Sequence, residues 1–178
     1  MNPSVTEIRP APRVAKELLK SNGFLLARTG LGFKMKAIAL FEREGFDHYD
    51  YGLLAILAEG APETQATIAA GLNVDPSRLV ALLDSLEQRG LVVRQRDPQD
   101  RRRHVVSITA DGRRDLARLR ELTKQLEDEY FSPLDADERR ALRELLQRVA
   151  FHNDPRCAFA LDQSTQAASA SGAASTSD

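Results

Sequence analysis

Residues 75–109 read DPSRLVALLDSLEQRGLVVRQRDPQDRRRHVVSIT, and this stretch decides the fold. It opens with a strong helix start, because Asp75 is a good N-cap and Pro76 suits the first helical position, where its missing N–H removes no hydrogen bond. Gly90 is typical of a helix end. The residues between them predict an amphipathic helix with a short-chained polar face and a buried stripe formed by Leu79, Leu82, Leu83 and Leu86.

A basic β-hairpin is predicted directly after this helix. Residues 91–95 and 104–108 are strand-like, and Asp97-Pro98-Gln99-Asp100 between them is a turn signal. Three successive arginines are expected at the tip: Arg101, Arg102 and Arg103. A helix with a basic hairpin beside it is the layout of a winged helix-turn-helix, which places the helix in the major groove of DNA.

The composition bounds the class of protein. The chain has 178 residues, of which 42% are hydrophobic and 29% charged, and this predicts a globular domain with an aliphatic core. No segment is apolar for the length that crosses a bilayer, and the N-terminus lacks an apolar signal region. Cys157 is the single cysteine and cannot form an internal disulfide, so we expect a cytoplasmic protein.

The net charge of −1 hides an uneven distribution. Residues 89–104 contain six arginines and two aspartates, which gives 6 − 2 = +4. Residues 121–154 contain five basic and nine acidic side chains, which gives 5 − 9 = −4. A nearly neutral protein with one basic end suits a DNA reader that must also release DNA.

The whole pattern predicts a mainly α protein with a small β-hairpin wing. Residues 1–12 are expected to form a flexible arm, and residues 13–44 the N-terminal dimerisation helices. Residues 45–109 form the winged helix-turn-helix lobe, and residues 110–152 the C-terminal dimerisation helices. Residues 153–178 are low in bulky apolar side chains and are expected to be a disordered tail.

Capping residues predict where the other helices begin. They are Asp47 for a helix over 49–59, Thr64 for 65–70, Thr109 for 110–130, and Asp135 with Glu138 for 136–151. Glycines predict two helix ends, at Gly45 and at Gly71. Gly30 and Gly32 lie inside the helix that Gly45 ends, where they either permit close helix packing or mark a bend.

Two apolar stripes in the C-terminal helices indicate a partner surface. One consists of Leu116, Leu119, Leu122 and Leu126, and the other of Leu142, Leu145, Leu146 and Val149. Both lie far along the chain from the helix after Asp75, so we expect them to need a second copy of the protein.

The hairpin carries the pattern of a known family. Asp100-Arg101-Arg102, five further residues and then Ile108-Thr109 resemble the wing of the MarR family, which has Leu where Ile108 stands. Residues 86–94, LEQRGLVVR, match the same family's run from recognition helix into wing. The resemblance covers roughly residues 22–151. It implies a homodimer that reads palindromic DNA, usually a repressor relieved by a small phenolic or other aromatic ligand, or by cysteine oxidation.

The polar face of the helix and the hairpin supply the candidate DNA contacts. They are Ser77, Arg78, Ala81, Ser85, Arg94, Arg96, Arg101, Arg102 and Arg103. An arginine in a first helical turn can donate to guanine O6 and N7, whereas a solvated helix face is the plainer alternative. The family often has Ser or Thr and then Arg where this chain has Val80 and Ala81, so recognition is expected to move toward Ser77, Arg78 and the wing.

The arginines of the wing are expected to divide their roles, because neighbours in a strand point to opposite faces. The resemblance implies that Arg102 pairs with Asp100 and stiffens the wing. Another tip arginine then enters the minor groove. Arg94 and Arg96 are expected to meet phosphates. A solvated charge run remains the alternative for Arg101, Arg102 and Arg103.

The resemblance also implies a ligand pocket near the start of the helix after Asp47. The candidate residues are His48, Tyr49, Tyr51, Phe24 and Met35. Half-buried aromatic and core positions explain the same residues equally well.

Other classes of function find less support. The sequence has no Gly-rich phosphate loop, no Gly-x-Ser-x-Gly and no His-Glu-x-x-His, so no enzyme and no catalytic residue is predicted. The histidines are scattered and no metal or other cofactor is expected. Two alternatives stay open: a winged-helix module that binds protein, and a redox-responsive regulator that uses Cys157.

Overall fold

The computed structural model describes residues 13–60, 64–96 and 104–157. In this part of the chain six α-helices surround a two-stranded antiparallel hairpin. The elements are α1 (Asn22–Arg43), α2 (His48–Ala58), α3 (Gln65–Leu72), α4 (Pro76–Gln88), β1 (Val92–Arg96), β2 (His104–Ile108), α5 (Ala110–Tyr130) and α6 (Ala136–Asn153). The predicted N-terminal arm, the tip of the wing and the tail beyond residue 157 lie outside the described residues.

The mainly α fold with a hairpin is confirmed, but its first predicted helix is shorter than expected. At the start of residues 13–44, the predicted N-terminal dimerisation helices, the chain forms only a turn and a 3-10 segment, Leu18–Lys20. The continuous helix starts after Ser21, whose hydroxyl accepts a hydrogen bond from Phe24 N at 3.2 Å. Gly23 lies within the first turn of α1.

Gly32 allows α1 and α5 to approach closely. A Cβ at this position would lie 2.8 Å from Tyr130 Oη. The same hydroxyl donates a hydrogen bond to the Thr29 carbonyl at 2.8 Å. Of the two interpretations of the α1 glycines, close packing applies to Gly32, whereas Gly30 has no neighbour within 4 Å.

Local capping explains most helix boundaries. Asp47, Asp75, Thr109 and Asp135 each accept a hydrogen bond from a backbone N–H of the first turn, as predicted. The end of α3 differs, because the helix continues through Gly71 to Leu72. Asn73 ends it by adopting φ 52°, a left-handed conformation that asparagine tolerates better than most residues.

The core lies within the lobe formed by α2, α3, α4, the hairpin and the first half of α5. The predicted leucine stripe of α4 is buried there, together with Leu53, Leu54 and Ile68. Leu116 and Leu119 are also buried in this core, at 2% and 0% exposure. The prediction that the whole Leu116–Leu126 stripe faces a partner is therefore wrong for its first half, which packs against the chain's own lobe.

Candidate DNA interface

Helix α4 presents a polar face opposite its buried leucines. Ser77, Arg78, Ala81 and Ser85 are all exposed, whereas the four leucines of the stripe are buried. The spacing of apolar residues explains this division, since positions three and four apart share one side of a helix. The arrangement leaves one side of α4 free to meet another molecule.

The start of α4 is organised by Asp75. Its Oδ1 accepts hydrogen bonds from the backbone N–H of Ser77, at 2.8 Å, and from the Ser77 hydroxyl. The bond from the Ser77 hydroxyl, with that from its backbone, lowers the pKa of Asp75 below its ordinary value. The Ser77 hydroxyl proton is thus engaged in the cap, and its oxygen is left as an acceptor.

Arg78 is held by the neighbouring helix α2. Its Nη2 lies 2.6 Å from Oδ2 of Asp47, the N-cap of α2. Its guanidinium carbon also lies 5.8 Å from the centre of the Tyr49 ring. The Arg78 side chain is still 51% exposed. Two contacts therefore fix this arginine on the surface without burying it.

Arg89 makes a second contact from α4 to the start of α2. Its Nη1 lies 3.5 Å from Oδ2 of Asp50, and its guanidinium carbon lies 4.1 Å from the centre of the Phe46 ring. Asp50 is 2% exposed, and its Oδ1 has no hydrogen-bond partner among the described residues. Burial raises the pKa of Asp50 to about 6, against the opposing effect of the hydrogen bond from the Asp47 backbone.

A small cleft separates these charged groups from the polar face of α4. Its volume is about 250 Å³, and it is lined by Gly45, Asp47, Asp50, Arg78, Ala81, Leu82, Ser85 and Arg89. Three of the candidate DNA-contacting residues therefore border the same cleft as the acidic pair of α2. Sequence reasoning named Asp47 only as a cap and missed Asp50. The spacing of Asp47 and Asp50 as a capping box was the available local signal, but their arginine partners come from another helix.

Arg94 lies between the hairpin and α4. Its Nη1 is 2.5 Å from Asp84 Oδ1 and 3.3 Å from Glu87 Oε2, and its Nη2 donates to the Val80 carbonyl at 3.3 Å. The backbone N–H of Arg94 also donates to Glu87 Oε1 at 3.0 Å. Arg94 was predicted to contact phosphate, but in the structure its guanidinium is already paired with three groups of α4.

The hairpin packs one face into the lobe. Val92 pairs with Ile108 and Arg94 with Val106 in the antiparallel register, and Val92, Val106 and Ile108 are buried. At its base, Thr109 Oγ1 donates to the Gly90 carbonyl at 2.7 Å. The predicted wing residues Asp100, Arg101, Arg102 and Arg103 lie outside the described residues, and for Arg96 only the backbone is described.

The residues predicted to form a ligand pocket do not meet. Phe24 lies in the first turn of α1, which has 22 residues, and His48 follows the other end of that helix. A helix of that length spans about 33 Å, so the two side chains of one chain cannot line the same small cavity. Met35 is 58% exposed. Tyr51 contacts Phe41 at 5.8 Å between ring centres, and the Tyr49 ring is tilted against that of His48 with centres 4.0 Å apart.

A larger cavity lies between α1, α5 and α6. Its volume is about 470 Å³, and its lining includes Phe33, Phe131, Leu142, Leu146, Arg143 and Cys157. The rings of Phe33 and Phe131 are stacked with centres 6.1 Å apart. Within the described ranges, no group of three or more His, Cys, Asp or Glu side chains is arranged to bind a metal. Nor does any helix there combine the length and apolar character needed to span a membrane.

A capped helix with a free polar face, a leucine core and a supporting hairpin define a winged helix-turn-helix lobe. The model of the MarR family matches residues 45–103. The chain is 32% identical over 128 residues to a putative transcriptional regulatory protein for the hcr operon of Thauera aromatica, which covers 71% of this chain and 77% of the relative. The chain belongs to the MarR family of transcriptional regulators.

Solved structures agree with this assignment. The transcriptional repressor CouR bound to a 23-mer DNA duplex is similar with a TM-score of 0.69 and 32% identity, over 79% of this chain and 99% of that one. CouR from Rhodococcus jostii RHA1 bound to p-coumaroyl-CoA is similar with a TM-score of 0.64 and 33% identity, over 77% of this chain and 96% of that one. The predicted family and the predicted class of DNA-binding transcriptional regulator are therefore confirmed.

Proposed function

We propose that this protein is a homodimeric repressor that reads a palindromic operator with α4 and the wing and releases it when a small aromatic ligand binds. The observation that carries the proposal is the exposed polar face of α4, held on a leucine core and bordered by arginines. This is the geometry with which a helix enters a major groove. The similar protein CouR is a transcriptional repressor that binds a DNA duplex, which supports a DNA-binding role for this lobe.

A dimer is supported by an unusual distribution of exposed apolar side chains. Large apolar residues that remain exposed cluster in the N-terminal segment with α1 and in α6: Leu18, Leu19, Leu25, Leu26, Leu31, Met35, Leu145, Leu146 and Val149. We call these nine residues the apolar patch. Five of them, Leu25, Leu26, Leu145, Leu146 and Val149, line one cavity between α1 and α6, and exposed apolar surface of this kind marks an interaction site. A second copy of the chain is the occupant that a palindromic operator requires.

The dimer supplies the spacing that DNA binding needs. Two recognition helices enter successive major grooves when they lie about 34 Å apart, one turn of B-DNA. A ligand that favours another spacing weakens binding through its differential affinity for the two arrangements. The geometry of the helices between the two lobes is therefore the natural point of control.

The ligand site that we propose is the 470 Å³ cavity between α1, α5 and α6. It replaces the α2 residues suggested by sequence. The stacked Phe33 and Phe131 suit a planar ring, and exposed Arg143 can pair with an acidic group. The cavity shares Leu146 with the apolar patch, so a ligand there contacts helices that set the spacing of the lobes. The relative CouR binds p-coumaroyl-CoA.

The test compares wild type with Arg78→Ala and Arg102→Ala on DNA from upstream of the protein's own gene and on random duplexes. We expect wild type to prefer the upstream DNA and both variants to bind it more weakly. Affinity should fall steeply with salt, because phosphate contacts release counterions. Wild-type binding that never exceeds the level on random DNA at low salt would contradict the proposal and favour the protein-binding alternative.

A redox role of Cys157 is tested separately. Cys157 is half-buried at the 470 Å³ cavity, and its neighbour Arg156 is paired with Asp154 at 2.7 Å. Peroxide is applied to wild type and to Cys157→Ser before DNA binding is measured. Equal affinities in all samples remove the redox alternative, whereas a loss confined to wild type supports it.

A further inference from the structure

We propose that Asp47 is a positioning residue that presents Arg78 to guanine and thereby sets the DNA specificity of this protein. The inference rests on the proposed DNA-reading role of α4 and goes beyond it, because Asp47 lies on a different helix. The relationship that carries it is the pairing of an exposed arginine of the recognition helix with the N-cap carboxylate of α2.

The two oxygens of Asp47 have separate tasks. Oδ1 accepts the backbone N–H of Tyr49 at 2.9 Å and so caps α2. Oδ2 accepts from Arg78 Nη2 at 2.6 Å. The carboxylate is itself fixed by the capping box, in which the Asp47 backbone N–H donates to Asp50 Oδ2 at 2.9 Å. Asp47 is therefore a rigid acceptor set against the first turn of α4.

Arg78 is restrained but keeps free donors. Among the described residues, its Nε and Nη1 have no hydrogen-bond partner, and 51% of the side chain is exposed. The ring of Tyr49 lies 5.8 Å from its guanidinium carbon, a cation–π contact that favours this position. An arginine whose plane is fixed before binding loses less conformational freedom when it donates to guanine O6 and N7.

The charges make the effect selective. The Asp47 carboxylate pairs with Arg78 and offsets its positive charge, which lowers the attraction of this part of α4 for phosphates at any sequence. An operator with a guanine opposite Arg78 binds more tightly because that arginine is already oriented, whereas random DNA gains no affinity from this orientation. Asp47 should therefore raise operator affinity and lower non-specific affinity.

The decisive variant is Asp47→Asn, because asparagine is as good an N-cap as aspartate but has only one acceptor oxygen. With that oxygen retained on Tyr49 N–H, the amide nitrogen faces Arg78 and the contact is lost. Asp137→Asn is the matched control. It removes the same charge from an exposed ion pair with Arg140 on α6, in a different helix from the candidate interface.

The experiment measures affinity by fluorescence anisotropy on an operator selected by wild type from a random library, on the same operator with 7-deazaguanine, and on a random duplex. We expect Asp47→Asn to bind the operator about five- to twentyfold more weakly, which is part of the discrimination that a guanine contact supplies. On the random duplex it should bind equally or more tightly. Asp137→Asn should keep the wild-type preference, and thermal melting checks that each variant is folded.

Two further comparisons isolate Arg78. Adding Asp47→Asn to Arg78→Ala should not reduce operator affinity further. Replacing guanine by 7-deazaguanine in the operator should reduce the affinity of wild type by a larger factor than it reduces the affinity of Asp47→Asn. The proposal is overturned if Asp47→Asn binds the operator as tightly as wild type or more tightly. Asp47 would then only compete with guanine for the Arg78 guanidinium. A wild type that selects no sequence at all instead defeats the proposed DNA-reading function.

Discussion

Arg94 on β1 and Asp84 on α4 are joined by a 2.5 Å contact that ties the base of the wing to the recognition helix. Glu87 adds a second carboxylate at 3.3 Å. These contacts link the base of the wing to α4, so the two elements that we propose read DNA are joined by a charged network.

Replacing Arg94 by Gln should destabilise the lobe. The change leaves two carboxylates without their partner, and because both are partly exposed we expect a loss of about 1–2 kcal/mol in the free energy of unfolding. Urea unfolding measures it. Arg114→Gln, which breaks a largely exposed pair with Asp111, should leave stability unchanged. Arg94→Gln could instead leave stability unchanged and reduce the slope of log DNA affinity against log salt concentration by about one. That result would support the phosphate contact predicted from sequence.

The buried carboxyl of Asp50 should give stability a distinctive pH dependence. Its pKa is about 6 in the native protein, above the ordinary value of about 4 in the unfolded chain. Between these values the native state binds more protons, so this group lowers the free energy of unfolding as pH rises. Asp50→Asn should therefore gain stability relative to wild type from pH 4 to 6.5, by roughly 2–3 kcal/mol.

Asp75 is a control for that pH series, because its effect on the pH dependence of the free energy of unfolding has the opposite sign. Its pKa is lowered by the hydrogen bonds from Ser77, so its contribution is present above pH 4 and lost as pH falls. Asp75→Asn should lose stability relative to wild type as pH rises. Parallel pH profiles of Asp50→Asn and wild type would contradict the raised pKa of Asp50.

Gly112 should not tolerate a side chain. A Cβ there would lie 2.1 Å from the Leu91 carbonyl oxygen and 2.8 Å from Ile108 Cγ1, at the junction of the hairpin with α5. We expect Gly112→Ala to cost about 3 kcal/mol or more, since backbone must move. Gly71→Ala is the matched change: its nearest contact is Ile56 Cδ1 at 3.7 Å, and it should be neutral or stabilising. Similar melting temperatures for the two variants would refute the close packing at Gly112.

The apolar patch should control the oligomeric state. Leu145 is 55% exposed on α6, and Leu145→Asp places a charge where we expect another subunit. Light scattering should give twice the chain mass for wild type and a lower mass for Leu145→Asp. Val80→Asp is the control, because Val80 is 44% exposed on α4 and outside the patch. A dimer that survives Leu145→Asp as fully as Val80→Asp would remove the patch from the interface.

Ligand binding in the proposed cavity should release DNA. Benzoate, salicylate and p-coumaroyl-CoA are titrated into the complex of protein and operator. At least one should release DNA from wild type, and Arg143→Ala should need a higher concentration for the same release while binding DNA normally. Arg148→Ala, also on α6 but absent from this cavity, serves as the control. Equal sensitivity of the Arg143 and Arg148 variants would contradict the site.

Local chemistry was readable from sequence, and distant partners were not. The caps at Asp47 and Asp75 depend on backbone groups two residues away, so their roles follow from spacing alone. The burial of Leu116 depends on α2, which is remote along the chain, and its periodicity could not separate an internal core from a dimer face. Arg94 and Arg78 looked like free basic residues for the same reason, because their acidic partners come from other elements.

Directed cleavage of DNA tests the central claim that two copies of α4 read one operator. Gln88 is exposed at the end of α4, and Cys157→Ser removes the only native thiol, so Gln88→Cys can carry a single iron chelate. We expect operator cleavage in two symmetric clusters about one helical turn, roughly 10 base pairs, apart. One cluster, or cleavage spread evenly along the duplex, would contradict a dimer that inserts both recognition helices.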